Sequence, residues 1–121
     1  MQNSSKDFYK KLLGRNGEKL AEKYLRKQKY KILEKNYKTH LGEIDIIALD
    51  GNTVVFIEVK TRTDESFGRP ADAVTKIKRN KYFKVATEYL LKKSWLEKEC
   101  RFDVIEILNG EINHIKSAFT M

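Results

Sequence analysis

Cysteine, proline and histidine are nearly absent from this chain of 121 residues: Cys100 and Pro70 each stand alone, and His40 and His114 are the only histidines. One cysteine excludes an internal disulfide and any multi-cysteine zinc site within one chain. A cysteine nucleophile would have only His40 or His114 to assist it, and neither sits in a recognisable context. Long apolar runs are missing too. The longest stretch without a charge is Gly51 to Ile57, far short of a membrane span. The opening MQNSSKDFYKK lacks the apolar core of a signal peptide, so a cytoplasmic protein with no membrane partner is expected. No segment repeats at a solenoid period, and no low-complexity run appears.

What is present is charge. There are 25 Lys and Arg against 17 Asp and Glu, a net +8, alongside 40% hydrophobic residues and six Tyr, six Phe and one Trp. The length and the aromatic content point to one compact domain over residues 1–121 rather than a disordered chain. The charge is unevenly spread: residues 1–40 hold twelve basic side chains against four acidic ones, whereas residues 41–60 hold Glu43, Asp45, Asp50 and Glu58 against Lys60 alone. Basic flanks attract a polyanion, and an acidic island would repel it unless cations are bound there. That suits a metal-dependent enzyme acting on phosphodiesters, while a merely solubilising lysine surface accounts for the net charge equally well.

Periodicity gives the order α-β-β-β-α-β-β. A helix is expected from about Lys6 to Gln28, with Leu13, Gly17, Leu20, Ala21, Tyr24 and Gln28 on one stripe. Strands follow at Tyr30 to Lys38, Glu43 to Leu49 and Thr53 to Lys60, the last two joined at Asp50-Gly51-Asn52. Thr61 to Pro70 reads as a loop, and Ala71 to about Lys93 as a second helix with Val74, Tyr82, Val85, Ala86 and Tyr89 on its stripe. Phe102 to Leu108 and Ile112 to Ile115 close the chain around an Asn109-Gly110 turn. A strand-helix-strand connection implies a mixed α/β sheet, antiparallel first and parallel later.

The hairpin carries the chemistry. With Gly51 and Asn52 as turn residues, Asp45 opposes Glu58 and Glu43 opposes Lys60. With Asp50-Gly51 as the turn, Glu58 opposes Glu43 and Asp45 opposes Phe56. Either register gathers the acids and Lys60 at one end. Opposed Cβ atoms lie about 5 Å apart, where two carboxylates repel by roughly 3 kcal/mol at an effective dielectric near 20. A hard divalent cation between them, such as Mg2+ or Mn2+, would relieve this. Strict alternation puts Ile47 and Leu49 on the face of Asp45, and Val54 and Phe56 on the face of Glu58 and Lys60, with Ile44 and Ile46 on the opposite face. Glu18 lies at the edge of the first helix's stripe, either turned toward the site or solvated and paired with Arg15. Lys78 falls within the second helix's stripe, one turn before Tyr82, as a lysine reaching past the core or as a phosphate contact at the rim of the site.

Glu18, then Gly42-Glu43-Ile44-Asp45, then Glu58-Val59-Lys60 resembles the PD-(D/E)xK nuclease superfamily, whose fold is restriction-endonuclease-like. GRNGEKLAEKYL, GEIDIIALD, VVFIEVKTR, the Gly68-to-Pro70 loop before AVTKIK, and RFDVIEI resemble the bacterial YraN family from about Gly14 to Ile107. A more distant similarity is to archaeal Holliday-junction resolvases. The resemblance implies a central mixed sheet flanked by helices and a catalytic set of Glu18, Asp45, Glu58 and Lys60. Asp45, Glu58 and the Val59 carbonyl would bind Mg2+ or Mn2+, and Lys60 would position the attacking water. Ile44 stands where the superfamily's proline is expected, and Glu43 is an accessory acid that competes for metal or holds Lys60. The implied protein is an endonuclease hydrolysing DNA phosphodiesters, with branched or structured DNA as the analogous substrate and a homodimer as the analogous assembly. Arg15, Arg62, Arg69, Lys76, Lys78 and Lys81 would meet backbone phosphates, although each is also an ordinary solvated charge when taken singly. The alternative is a non-catalytic nucleic-acid-binding module on the same fold, and a third reading is a protein-interaction adaptor.

Overall fold

The computed structural model describes residues 4–62 and 75–120, with side chains from residue 16 onward. Seven elements run α1 (Ser4–Lys27), β1 (Lys31–Thr39), β2 (Gly42–Asp50), β3 (Thr53–Arg62), α2 (Lys76–Lys93), β4 (Cys100–Leu108) and β5 (Glu111–Phe119). The order is the one expected. The strands form one sheet in chain order, antiparallel except where β3 and β4 run parallel. Only that parallel pair needs a crossover, and α2 lies within it.

The hairpin adopts the first register: Asp50 pairs with Thr53 and Ile46 with Ile57. Gly51 has φ +61°, which a primed two-residue turn requires at its first central position and which glycine reaches without steric cost. Helices cover both faces of the sheet. On the α2 face, Tyr82, Val85, Ala86 and Tyr89 pack on Ile44, Ile47, Val54, Phe56, Phe102 and Phe119, and Phe102 stacks between Phe56 and Phe119 with centroids 5.3 Å away on each side. On the α1 face, Ala21 and Leu25 pack on Ile46, Ala48, Val55, Ile57, Ile105 and Ile107. Strands buried on both faces explain the near-continuous apolar runs of β2 to β4, and each fully buried aliphatic side chain is worth about 1.5–3 kcal/mol.

Four expectations need correction. The apolar stripe of α1 is centred on Gly17, Ala21 and Leu25, and Leu20 is 41% exposed. Helix α2 begins at Lys76, because Thr75 is extended and its side chain accepts from Lys78 N; residues 71–74, Val74 among them, lie outside the described residues. Strand β3 continues through Thr61 and Arg62, kept in register by β4 as far as Arg62 opposite Leu108. Strand β5 runs to Phe119, well beyond Ile115.

Candidate functional site

The sheet forks at the acidic end of the hairpin. The β2–β3 ladder runs from the turn to Ile46 opposite Ile57, while β2 stays paired with β1 as far as Gly42 opposite Thr39. Beyond the last pair, the Asp45 carboxylate takes the place of β2 backbone, accepting from Val59 N at 2.8 Å. In an extended strand a residue's N–H and C=O point to the same side, so the Val59 carbonyl faces the fork as well. The Glu58 carboxylate lies within hydrogen-bond reach of Asp45. Burial first, and then the Glu58 charge, push Asp45 up to about 8. A proton between the two carboxylates relieves their repulsion when no cation does.

Strict alternation fails at this point. Ile44 packs with Ile47 on the α2 face, whereas Asp45 and Ile46 both line a cleft of about 200 Å³ under α1, with Glu18, Lys19, Glu22, Lys35 and Asn36. On β1 the residue across from this stretch, Asn36, has φ +51°, and the ladder pairs Lys35 with Ile46 and Tyr37 with Ile44 on either side of it. Asp45 is thereby turned toward α1 and Glu18, away from the face of Ile47 and Leu49 on which alternation had put it.

Glu18 faces the site. Gly17 beside it sits so close to β3 that an added Cβ would fall 2.0 Å from Thr61 Oγ1, so glycine there lets α1 settle onto the sheet. With its amide nitrogen toward α1, Asn36 donates to both Glu18 oxygens at 3.3 and 3.2 Å. Burial raises the Glu18 carboxyl, the Asn36 hydrogen bond lowers it, and the charges of Glu43 and Glu58 raise it again, for a net upward shift. Four acids therefore act on one another here. Glu43 itself is exposed and its strand partner is Lys38, not Lys60, because β2 and β3 have parted by then. Lys60 is half-buried, in register with Glu106 of β4.

Lys78 does not end at the rim. Its Nζ lies 2.5 Å from Glu58 Oε1, bridging α2 to the site. Arg62 leaves the set of phosphate contacts: it is buried and paired with Glu106 at 3.2 Å, an ion pair inside the fold. Lys76 and Lys81 are exposed on α2, and the Cβ of Lys81 lies 3.5 Å from where a Cβ on Gly42 would be, beside the acidic end of β2. Arg69 and the side chain of Arg15 lie outside the described residues.

A second polar cluster was not foreseen. Asp103, fully buried on β4, accepts from Arg101 Nε at 3.0 Å and Ser117 N at 3.0 Å, and meets His114 Nε2 at 2.7 Å. His114 Nδ1 meets the Tyr24 hydroxyl at 2.9 Å, and Arg101 also reaches Asp50 at 2.9 Å and the Tyr30 hydroxyl at 2.6 Å. The signal lay in RFDVIEI, where Asp103 interrupts an apolar strand. Burial pushes the Cys100 thiol up, opposite to what a thiolate nucleophile needs.

Asp45, Glu58 and the Val59 carbonyl fit a hard divalent cation: all are oxygen donors, two are carboxylates in mutual contact, and an ammonium already rests on one of them. The cage is not closed, since among the described residues no group of three or more His, Cys, Asp and Glu side chains converges as a ready metal site.

Comparison with known proteins agrees over most of the chain. The family described as "Uncharacterised protein family UPF0102" matches residues 17–107. A UPF0102 protein of Caldanaerobacter subterraneus subsp. tengcongensis is 48% identical, over 94% of this chain and 99% of its own length. One from Chlorobaculum parvum is 49% identical, over 88% and 91%, and one from Thermodesulfovibrio yellowstonii 52%, over 88% and 95%.

Proposed function

This chain belongs to the UPF0102 family, and from the geometry of its forked sheet we infer that it is a metal-dependent endonuclease of the PD-(D/E)xK kind, hydrolysing DNA phosphodiesters. The observation that carries the reading is the contact of two carboxylates, Asp45 and Glu58, at the mouth of the sheet, with Asp45 pushed up to about 8. A site in which the acids outnumber the one ammonium resting on them, that of Lys78, set in a protein of net charge +8, fits a bound divalent cation and a polyanionic substrate.

Asp45, Glu58 and the Val59 carbonyl would hold Mg2+ or Mn2+, which when bound would supply charge neutralisation at the phosphate and an activated water. Lys60, two residues beyond Glu58 on the same strand, orients the attacking water and faces the charge that develops on the phosphoryl oxygens. Glu18, fixed by Asn36, acts on the metal through water, and Glu43 adds negative charge nearby. Lys76 and Lys81 on the exposed side of α2 meet backbone phosphates without reading sequence. Branched DNA is the substrate by analogy with junction resolvases, and a homodimer goes with it. No described helix is long and apolar enough to cross a membrane.

A nucleic-acid-binding module without chemistry is the second reading, favoured by the open carboxylate set. Cleavage of plain, nicked, flapped and four-way DNA in Mg2+ or Mn2+ separates the two. The enzyme cuts at least one substrate, Asp45→Asn abolishes cutting and metal binding, and Lys60→Ala keeps DNA binding while losing cleavage. Undiminished cutting by Lys60→Ala would overturn the assigned mechanism; salt-dependent binding with no metal uptake would establish the module.

A further inference from the structure

We infer that Lys78 is a resident counter-ion of this site: it holds Glu58 while no divalent cation is bound and competes with such a cation for that carboxylate. The inference rests on the metal-dependent reading and adds a means of regulating the same site.

Glu58 is almost fully enclosed, its side chain 8% exposed, while that of Lys78 is 40% exposed. A buried carboxylate set beside a second one is costly unless a cation pairs with it. The Lys78 ammonium, 2.5 Å from Oε1, fills that requirement. A divalent ion on the same oxygen would stand a few ångströms from the ammonium as a like charge, which disfavours their holding that oxygen together. The two therefore exchange instead of sharing Glu58.

The position of Lys78 on α2 supports the assignment. It lies in the first turn, three residues after the cap Thr75, and that turn contains no acid. The helix dipole disfavours a cation there, so helix stability does not account for a lysine pointing inward. Its partner does. Release also costs the lysine little, because its stem already reaches solvent and its Nζ lies 5.9 Å from the centroid of the Tyr82 ring, a face on which an ammonium can rest.

The test is a calorimetric titration of the full chain with Mn2+, comparing wild type with Lys78→Met, Lys78→Gln and Lys84→Met. Lys84 is exposed on the same helix and controls for the loss of one charge. Lys78→Gln keeps a hydrogen-bond donor near Glu58 should the methionine variant not fold. Both Lys78 variants should bind Mn2+ about tenfold tighter or more, and Lys84→Met within about twofold of wild type, because its charge is screened by solvent. In wild type, Mn2+ should also increase acetylation of Lys78 by an amine-reactive reagent, read by peptide mass spectrometry. Equal affinities with unchanged labelling, in a protein that does bind Mn2+, would remove the competition and leave the metal reading intact. No binding by any of the proteins would overturn both.

Discussion

Asp45 and Asp103 are the same residue type, each one strand in from a bulged edge of the sheet, yet their environments push them in opposite directions. Burial works against ionisation of Asp103, but His114, Arg101 and the Ser117 N–H outweigh it and hold the carboxyl below its ordinary value. Asp45 receives one backbone N–H and faces a second carboxylate, so burial wins and its value rises to about 8. Even the left-handed residues of the two edge strands differ in use. Ser117, at φ +51° on β5, turns its N–H inward onto Asp103, whereas Asn36, also at φ +51° on β1, serves Glu18 and leaves Asp45 alone. Where this fold needs a buried acid for its own stability, it completes the acid's partners from within. Where several acids gather and the only ammonium shown on them is that of Lys78 on Glu58, the charge is left unbalanced, and perturbed carboxylates of that kind cluster at functional sites.

The largest expected effect tests this directly. Asp103→Asn should lower folding stability by about 3–5 kcal/mol, because Arg101 and His114 lose the charge they are packed around. Asp45→Asn should do the reverse in metal-free protein, gaining about 1–2 kcal/mol at pH 8 through lost repulsion. Urea unfolding of the two variants side by side measures both. Comparable losses at the two positions would mean that Asp45 is also a structural acid.

The pH dependences should separate as well. A carboxyl raised from 3.8 to about 8 keeps its proton in the folded state after the unfolded chain has lost it. Stability therefore falls as pH rises from about 4 to about 8, by several kcal/mol at most for so closely paired a group. Asp103, lowered from 3.8, contributes fully above about pH 4, and its contribution is lost as pH falls through its folded value. Unfolding free energy followed from pH 3 to 9 without divalent ions should show both limbs. Asp45→Asn should flatten only the upper one, and Asp103→Asn only the lower.

Much of this arrangement was legible beforehand, and what escaped has identifiable physical causes. The element order and the gathering of Asp45 and Glu58 at one end of the hairpin were expected in either of two registers, and the pairing of Asp50 with Thr53 decides between them. Counting failed where the backbone stopped repeating: the irregularity between Ile44 and Ile46 carries Asp45 to the α1 face, and alternation contains no term for a local break in the pleat. Lys78 was placed on the inward face of its helix, but its partner lies twenty residues away on strand β3, a distance that local spacing does not encode. Arg62 was read as a loop cation because the strand was ended at Lys60; pairing with β4 extends the strand and buries that side chain against Glu106. The Asp103 network joins α1, β4 and β5, so only tertiary structure brings it together.

Gly17 sharpens the comparison from the side of the helix. An alanine Cβ would lie 2.0 Å from Thr61 Oγ1 and 3.3 Å from Thr61 Cβ, so Gly17→Ala forces Thr61 into another rotamer or α1 away from β3. The overpacking costs about 1–3 kcal/mol, against a gain of about 1 kcal/mol in helix propensity, for a net loss near 1 kcal/mol. Displacing α1 should also weaken Mn2+ binding, because Glu18 moves with it. Thr61→Ala in the same chain removes the closer contact and should restore part of both. A loss of stability in Gly17→Ala with Mn2+ affinity unchanged would show that Glu18 takes no part in the site.

The smallest effect discriminates most finely, because α1 contributes to both clusters through neighbouring turns: Glu18 to the open one and Tyr24 to the completed one. Tyr24→Phe removes only the hydroxyl that meets His114 Nδ1 at 2.9 Å and keeps the ring edge-on to the imidazole, centroids 5.5 Å apart. One neutral hydrogen bond is worth about 1 kcal/mol net. His114, 4% exposed, has little water with which to replace it, so the loss should reach that full value and appear as a lower denaturation midpoint with an unchanged slope. Mn2+ affinity should stay as in wild type. If the two clusters are independent, the losses from Tyr24→Phe and Gly17→Ala add within about 0.5 kcal/mol in the double variant. A larger coupling would mean that α1 transmits strain from one aspartate to the other, and that the two environments form a single unit.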